Sequence, residues 1–132
     1  NDPNTVTPIF MFNKMLAKNW GDTVVKVEGQ GIPTVHVKGP SDSIDMPKLA
    51  YTASKGKDGK VYLMVTNRTN DTDVTTNVAL GFTPKAVTAH VLTGSNGWAS
   101  DHTNTTVQTK SANLSSAYTF PKASVTIFEI TP

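Results

Sequence analysis

Lys57-Asp58-Gly59-Lys60-Val61-Tyr62-Leu63-Met64-Val65-Thr66-Asn67 decides the fold class. Asp58-Gly59 suits the two-residue turn of a β-hairpin. The strand that follows alternates, with Val61, Leu63 and Val65 on one face and Tyr62, Met64 and Thr66 on the other. Upstream, Lys48 to Ser54 alternates Leu49, Tyr51 and Ala53 against Ala50 and Thr52, which makes it the other arm of the hairpin.

The same period of two extends outward. Asp22 to Glu28 reads as a strand centred on Val24 and Val25, and Ile32 to Lys38 as a second with Val35 and Val37 on one face. Gly39 to Pro47 reads as a polar loop. Asp73 to Leu80 alternates Val74, Thr76, Val78 and Leu80. Ala86 to Thr93, Thr106 to Lys110, Leu114 to Phe120 and Ser124 to Ile130 complete the series, the last with Val125, Ile127, Phe128 and Ile130 as core candidates. Eight or nine short strands at intervals near ten residues indicate a sandwich or barrel. The fold class is all-β: an antiparallel, jelly-roll-like β-sandwich.

One segment departs from this period. Thr7 suits a helix N-cap, Pro8 the first helical position and Gly21 the stop. Ile9, Phe12, Met15 and Leu16 share one helical face, so a helix is expected from about Pro8 to Trp20. That face requires cover. Unusual exposure or a contact with another copy is expected there, and full cover by the chain's own sheet would overturn it. The chain divides into a helical segment, 1–21, and a sandwich domain, 22–132.

The totals agree. The chain has 132 residues, of which 37% are hydrophobic and only 17% charged, enough for one domain with an ordinary core. The net charge of +2 comes from scattered lysines and a single arginine, Arg68. Nucleic-acid binders cluster their basic residues and use arginine forks, so no nucleic-acid partner is expected. With no cysteine, thiolate metal sites and a cysteine nucleophile are excluded. No apolar run approaches a membrane span, and no secretory leader is read, so no membrane partner is expected. The compartment stays open, with secretion favoured. Asn67, Asn70, Asn104 and Asn113 begin Asn-x-Ser/Thr triplets, which a Thr- and Asn-rich chain produces by chance.

Catalytic chemistry finds little footing. Glycoside hydrolysis needs two carboxyl groups about 5–10 Å apart. The only glutamates, Glu28 and Glu129, lie in strand patterns at opposite ends of the chain. Asp42 with Asp45, and Asp71 with Asp73, sit in polar turns, where aspartate caps the local backbone. They do not match a helix-loop-helix calcium loop. His36, His90 and His102 lack metal-like spacing, and no Gly-x-Ser-x-Gly elbow occurs. The chain is expected not to be an enzyme and to use no metal or cofactor.

Carbohydrate binding has one candidate. Trp98 stands in a polar loop where periodicity does not force burial, with Asn96, Asp101 and His102 beside it. Its ring suits the flat C–H face of a sugar, and its neighbours the hydroxyl groups. The competing reading folds Trp98 back over the end of the sandwich. Tyr62 and Tyr118, on strand faces, fit either core or platform.

Three stretches together resemble the C-terminal domain of the α-L-arabinofuranosidases of glycoside hydrolase family 51. Thr7-Pro8-Ile9-Phe10-Met11-Phe12-Asn13-Lys14-Met15-Leu16, followed by Trp20-Gly21-Asp22-Thr23-Val24-Val25, is similar to the family's join between the last barrel helix and the terminal sandwich. Lys57 to Arg68 is similar to its central hairpin. Ala89-His90-Val91-Leu92-Thr93-Gly94 and Pro121-Lys122-Ala123-Ser124-Val125-Thr126-Ile127-Phe128-Glu129-Ile130 are similar to its late strands. The resemblance spans nearly the whole chain, although the loop after Gly94 departs from the family. It implies a retaining glycosidase whose two catalytic glutamates lie on a barrel outside this chain. This chain would then be an accessory module whose partner is that barrel. An independent module that targets its enzyme to polysaccharide is the alternative.

Overall fold

The computed structural model describes residues 7–94 and 105–132. Its frame is one six-stranded antiparallel sheet, in the order β1-β4-β5-β10-β7-β8. These are β1 (Thr23–Val25), β4 (Leu49–Lys55), β5 (Val61–Asn67), β7 (Ala86–Gly94), β8 (Thr105–Ser111) and β10 (Ser124–Thr131). Two smaller pairs accompany it: β2 (Thr34–Lys38) with β3 (Ser43–Pro47), and β6 (Val74–Thr76) with β9 (Tyr118–Phe120).

β10 lies between β5 and β7, with Phe128 opposite both Leu63 and Ala89. Two faces follow from this register and the two-residue period. One carries Leu63, Val65, Ala89, Val91, Phe128 and Ile130, and buries them against Val74 of β6 and Phe120 of β9. Tyr118, Phe120 and Phe128 meet there with ring centroids 4.9–5.9 Å apart in tilted and edge-on pairs, geometries that favour aromatic contact. The opposite face carries Tyr62, Leu92 and Ile127, which pack with Met15 of the helix. The result is the expected antiparallel sandwich with one short helix.

Helix α1 (Pro8–Lys18) starts as its sequence indicates, with the Phe10 amide donating to Thr7 Oγ1 at 3.2 Å. Its end differs. Asn19 is the C-cap, and its side chain donates to the Met15 carbonyl. Gly21 serves another purpose. A Cβ there would lie 2.2 Å from the Lys55 carbonyl carbon, and its amide donates to Ser54 Oγ at 2.9 Å. The glycine permits the chain to pass directly against β4. The sheet covers Met15, Phe12 and Leu16, yet Ile9 is 74% and Phe10 55% exposed. The helix is thus covered over part of its apolar surface only.

Other expectations need correction. Residues 39–47 are not simply a loop, since Ser43–Pro47 pairs with β2, Ile44 opposite Val37 and Met46 opposite Val35. Ile44 and Met46 keep a period of two, which Asp42, Ser43 and Pro47 obscure; proline is tolerated at that strand end. The hairpin of β4 and β5 has a three-residue loop, not two. Gly56 and Lys60 form the last pair, and Gly59 adopts φ +85°. This is a turn closed by one left-handed residue, a position that favours glycine. β1 and β6 are also shorter than their patterns, at three residues each.

Candidate functional site

The helix-bearing face of the sheet carries the main cluster of titratable side chains among the described residues. Glu129 of β10 lies beside Lys60 at the start of β5 and diagonally from His90 of β7. Lys60 Nζ donates to Glu129 Oε1 at 2.6 Å. His90 Nε2 lies 3.2 Å from Glu129 Oε2, and its Nδ1 lies 3.1 Å from Thr109 Oγ1 of β8. Three strands, β10, β7 and β8, contribute Glu129, His90 and Thr109, and Lys60 immediately precedes β5, so the cluster depends on the strand order.

The electrostatics define what the cluster can do. The hydrogen bond from Lys60 holds the Glu129 carboxyl below its ordinary value, outweighing burial, which acts the other way; the bond from His90 adds to the lowering. The same hydrogen bond raises Lys60 above the usual lysine value. A carboxylate kept ionised by two donors is poorly suited to general acid catalysis, which needs a raised pKa. Glu28, the other glutamate, lines the opposite face of the sheet and pairs with Lys26 at 2.8 Å. The cluster therefore fastens strands together and presents a charged edge beside the apolar patch under the helix.

The sequence-derived candidates separate. Trp98, Asn96, Asp101 and His102 lie outside the described residues. Tyr62 is buried beside the helix contact, and burial raises its hydroxyl pKa. Tyr118 is half-buried in the aromatic trio and is shifted the same way for the same reason. Rings so placed pack protein on their faces. His36 does not meet His90; it lies 2.8 Å from Asp45 on the exposed β2–β3 ribbon. Asp71 accepts from the neighbouring Thr72 hydroxyl, whereas Asp73 accepts from the Lys122 amide, 49 residues away, and so ties two distant turns together where local capping is expected. Among the described residues no group of three metal-ligating side chains gathers, and no helix is long and apolar enough to cross a membrane. Asn67, which heads one glycosylation triplet, is 1% exposed and donates to the Thr72 and Phe120 carbonyls.

The other face holds a feature that sequence reasoning missed. A half-open groove of about 650 Å³ lies between residues 25–32 and 76–82, floored by Leu49, Ala53, Leu63, Val65 and Ile130. Tyr51 and Phe82 stand in its wall, more than a third exposed.

These features define an antiparallel sandwich module with a helix on one face and an open groove on the other. No family model matches the chain, and no curated protein does. Solved structures share the fold. The GH51 α-L-arabinofuranosidase from Thermotoga petrophila RKU-1 superposes with a TM-score of 0.73 at 19% identity, over 94% of this chain and 29% of that one. The α-L-arabinofuranosidase from Thermotoga maritima, in its arabinose complex, gives 0.69 at 21% identity, again over 94% and 29%. A GH86 protein in complex with neoagarooctaose gives 0.52 at 12% identity, over 76% and 16%. This chain thus has the fold of a part of the GH51 arabinofuranosidase structures, and spans less than a third of their length.

Proposed function

We propose that this chain is a non-catalytic accessory module of a longer glycoside hydrolase acting on plant cell-wall polysaccharide. Residues 22–132 are the sandwich, and residues 1–21 join it to a catalytic barrel on which it packs and which it stabilises. The observation that carries this reading is the coverage: nearly all of this chain corresponds to under a third of each Thermotoga arabinofuranosidase. The exposed Ile9 and Phe10 at the start of α1 support it, being apolar surface suited to burial against another body. The test compares the protein of the full reading frame with a version lacking residues 22–132, using hydrolysis of aryl glycosides. The expected result is faster thermal inactivation of the shortened protein. Equal inactivation rates would refute the stabilising role, and hydrolysis by residues 1–132 alone would refute the non-catalytic one.

The alternative, a carbohydrate-binding module, rests on the polar loop around Trp98. Sedimentation with insoluble xylan, arabinan and cellulose tests it. Full recovery in the supernatant on all three removes the alternative. If the domain is retained, Trp98→Ala should abolish retention and keep the fold; unchanged retention takes Trp98 out of the site.

A further inference from the structure

The two edges of the six-stranded sheet differ in length. β1 has three residues, whereas β8 has seven and pairs with β7 along its whole length. The sequence of β8, Thr105-Thr106-Val107-Gln108-Thr109-Lys110-Ser111, offers one apolar residue, and Val107 is itself 40% exposed. Every residue from Thr106 to Ser111 is exposed, and the strand lies outside both apolar clusters. Helix α1 touches its inner side. A strand that buries so little depends on its ladder to β7 and on the bonds its side chains make.

One such bond leads inward. Thr109 stands directly opposite His90, with its Oγ1 3.1 Å from Nδ1. On the other side of the ring, His90 Nε2 lies 3.2 Å from Glu129 Oε2, and Glu129 Oε1 accepts from Lys60 at 2.6 Å. The His90 side chain is 14% exposed, which leaves water little access to either contact. The positions of the protons follow from the chemistry of the groups. A neutral imidazole has one donor and one acceptor nitrogen, and a carboxylate only accepts. The hydrogen bond from Lys60 is the largest influence on Glu129 and holds it below its ordinary value, so the proton between Oε2 and Nε2 belongs to the imidazole. Nδ1 of the neutral ring then carries a lone pair, to which the Thr109 hydroxyl donates. The opposite tautomer would set two acceptors 3.2 Å apart with no proton between them.

We propose that His90 is a proton-ordered latch on the edge strand β8. Thr109 donates to His90, His90 donates to Glu129, and Lys60 donates to the same carboxylate, so every donor points toward one negative charge. The chain crosses β8, β7 and β10 and ties a solvent-exposed strand to the middle of the sheet. Hydrogen bonds aligned in this way polarise and strengthen one another. His90 is a positioning residue, and its effect is on how long β8 stays closed against β7. Opening β8 alone exposes little apolar surface, so this strand forms its own unit of local unfolding, and the latch sets how often it opens.

The test has a spectroscopic and a kinetic arm, both on the 132-residue chain. Long-range proton–nitrogen NMR of the neutral imidazole is expected to find the His90 proton on Nε2 and a lone pair on Nδ1. A proton on Nδ1, or an even mixture of the two forms, would overturn the proposal. In the kinetic arm, Thr109→Val keeps the branched shape and removes the hydroxyl. Amides of β8 are expected to exchange at least about threefold faster in this variant, as one lost hydrogen bond predicts, while those of β5 and β10 keep the wild-type rate. Thr106→Val is the control. It alters the same strand on its other face, where Thr106 makes no side-chain hydrogen bond among the described residues, and it should leave β8 exchange unchanged. Unaltered β8 exchange in Thr109→Val, an equal rise in Thr106→Val, or the same acceleration in every strand would each sink the latch.

Discussion

Thr126 lies in the middle of β10 with no exposure to solvent, flanked by Val65 on β5 and Val91 on β7. Its hydroxyl has no hydrogen-bond partner. A buried, unsatisfied hydroxyl costs about 1–3 kcal/mol, and replacing it with an apolar group of the same shape relieves the cost. Valine has that shape. Thr126→Val should therefore raise the unfolding free energy by about 1–2 kcal/mol, the lower part of that range allowing for local relaxation. For a domain of this size such a gain corresponds to roughly 3–10 °C in Tm. Urea denaturation followed by circular dichroism provides the measurement, with the midpoint moving up and the slope unchanged. Thr126→Ser is the control. It keeps the hydroxyl and removes the methyl, so it should lose about 1 kcal/mol. If Thr126→Val unfolds at or below the wild-type midpoint, the hydroxyl has a partner and the reasoning fails.

Gly21→Ala should destabilise by about 1–3 kcal/mol in the same assay, because the new methyl would meet the Lys55 backbone at 2.2 Å; wild-type stability would show that the backbones do not approach so closely. Ala123 adopts φ +47°, a strained region for a residue with a Cβ, so Ala123→Gly should gain up to about 1 kcal/mol after the entropic cost of glycine, and a loss on chemical unfolding would contradict that backbone. Glu129 has its pKa lowered in the folded state, so it contributes stability above the ordinary value of 4.5 that is lost as pH falls through the folded value. A stability–pH profile of Glu129→Gln should lie below wild type at pH 7 and converge with it in acid; parallel profiles would show that the Lys60 contact adds nothing. The raised pKa of Lys60 has the opposite sign: its contribution is present below 10.5 and fades as pH rises through the folded value, so Lys60→Met should lose its difference from wild type only in strong alkali.

The central strands were legible because their residues obey one rule over six or more positions. Val61, Leu63 and Val65 face the core as their alternation requires, and so do Phe128 and Ile130. The hairpin ribbon was obscured where Ile44 and Met46 alternate among turn-forming residues. Gly21 reads in the sequence as a helix stop, whereas its absent side chain matters for contact with a strand more than thirty residues away. The site was less legible than the fold. Glu129, His90 and Lys60 are spread along the chain and come together only because β10 inserts between β5 and β7. No local pattern encodes that order. The groove was hidden for a related reason: residues 26–28 and 77–80 carry strand patterns, and a pattern does not report whether a partner is present.

The central place of β10 also bears on synthesis. Val61 pairs with Ile130, so β5 leaves the ribosome long before its neighbour does. At about 5–20 residues per second, the interval is roughly 3–14 s. For that time the nascent β4–β5 hairpin displays Leu63 and Val65 beside an open edge, the kind of surface that invites wrong pairing. This ordering places the hazard of wrong pairing in the seconds before β10 is made.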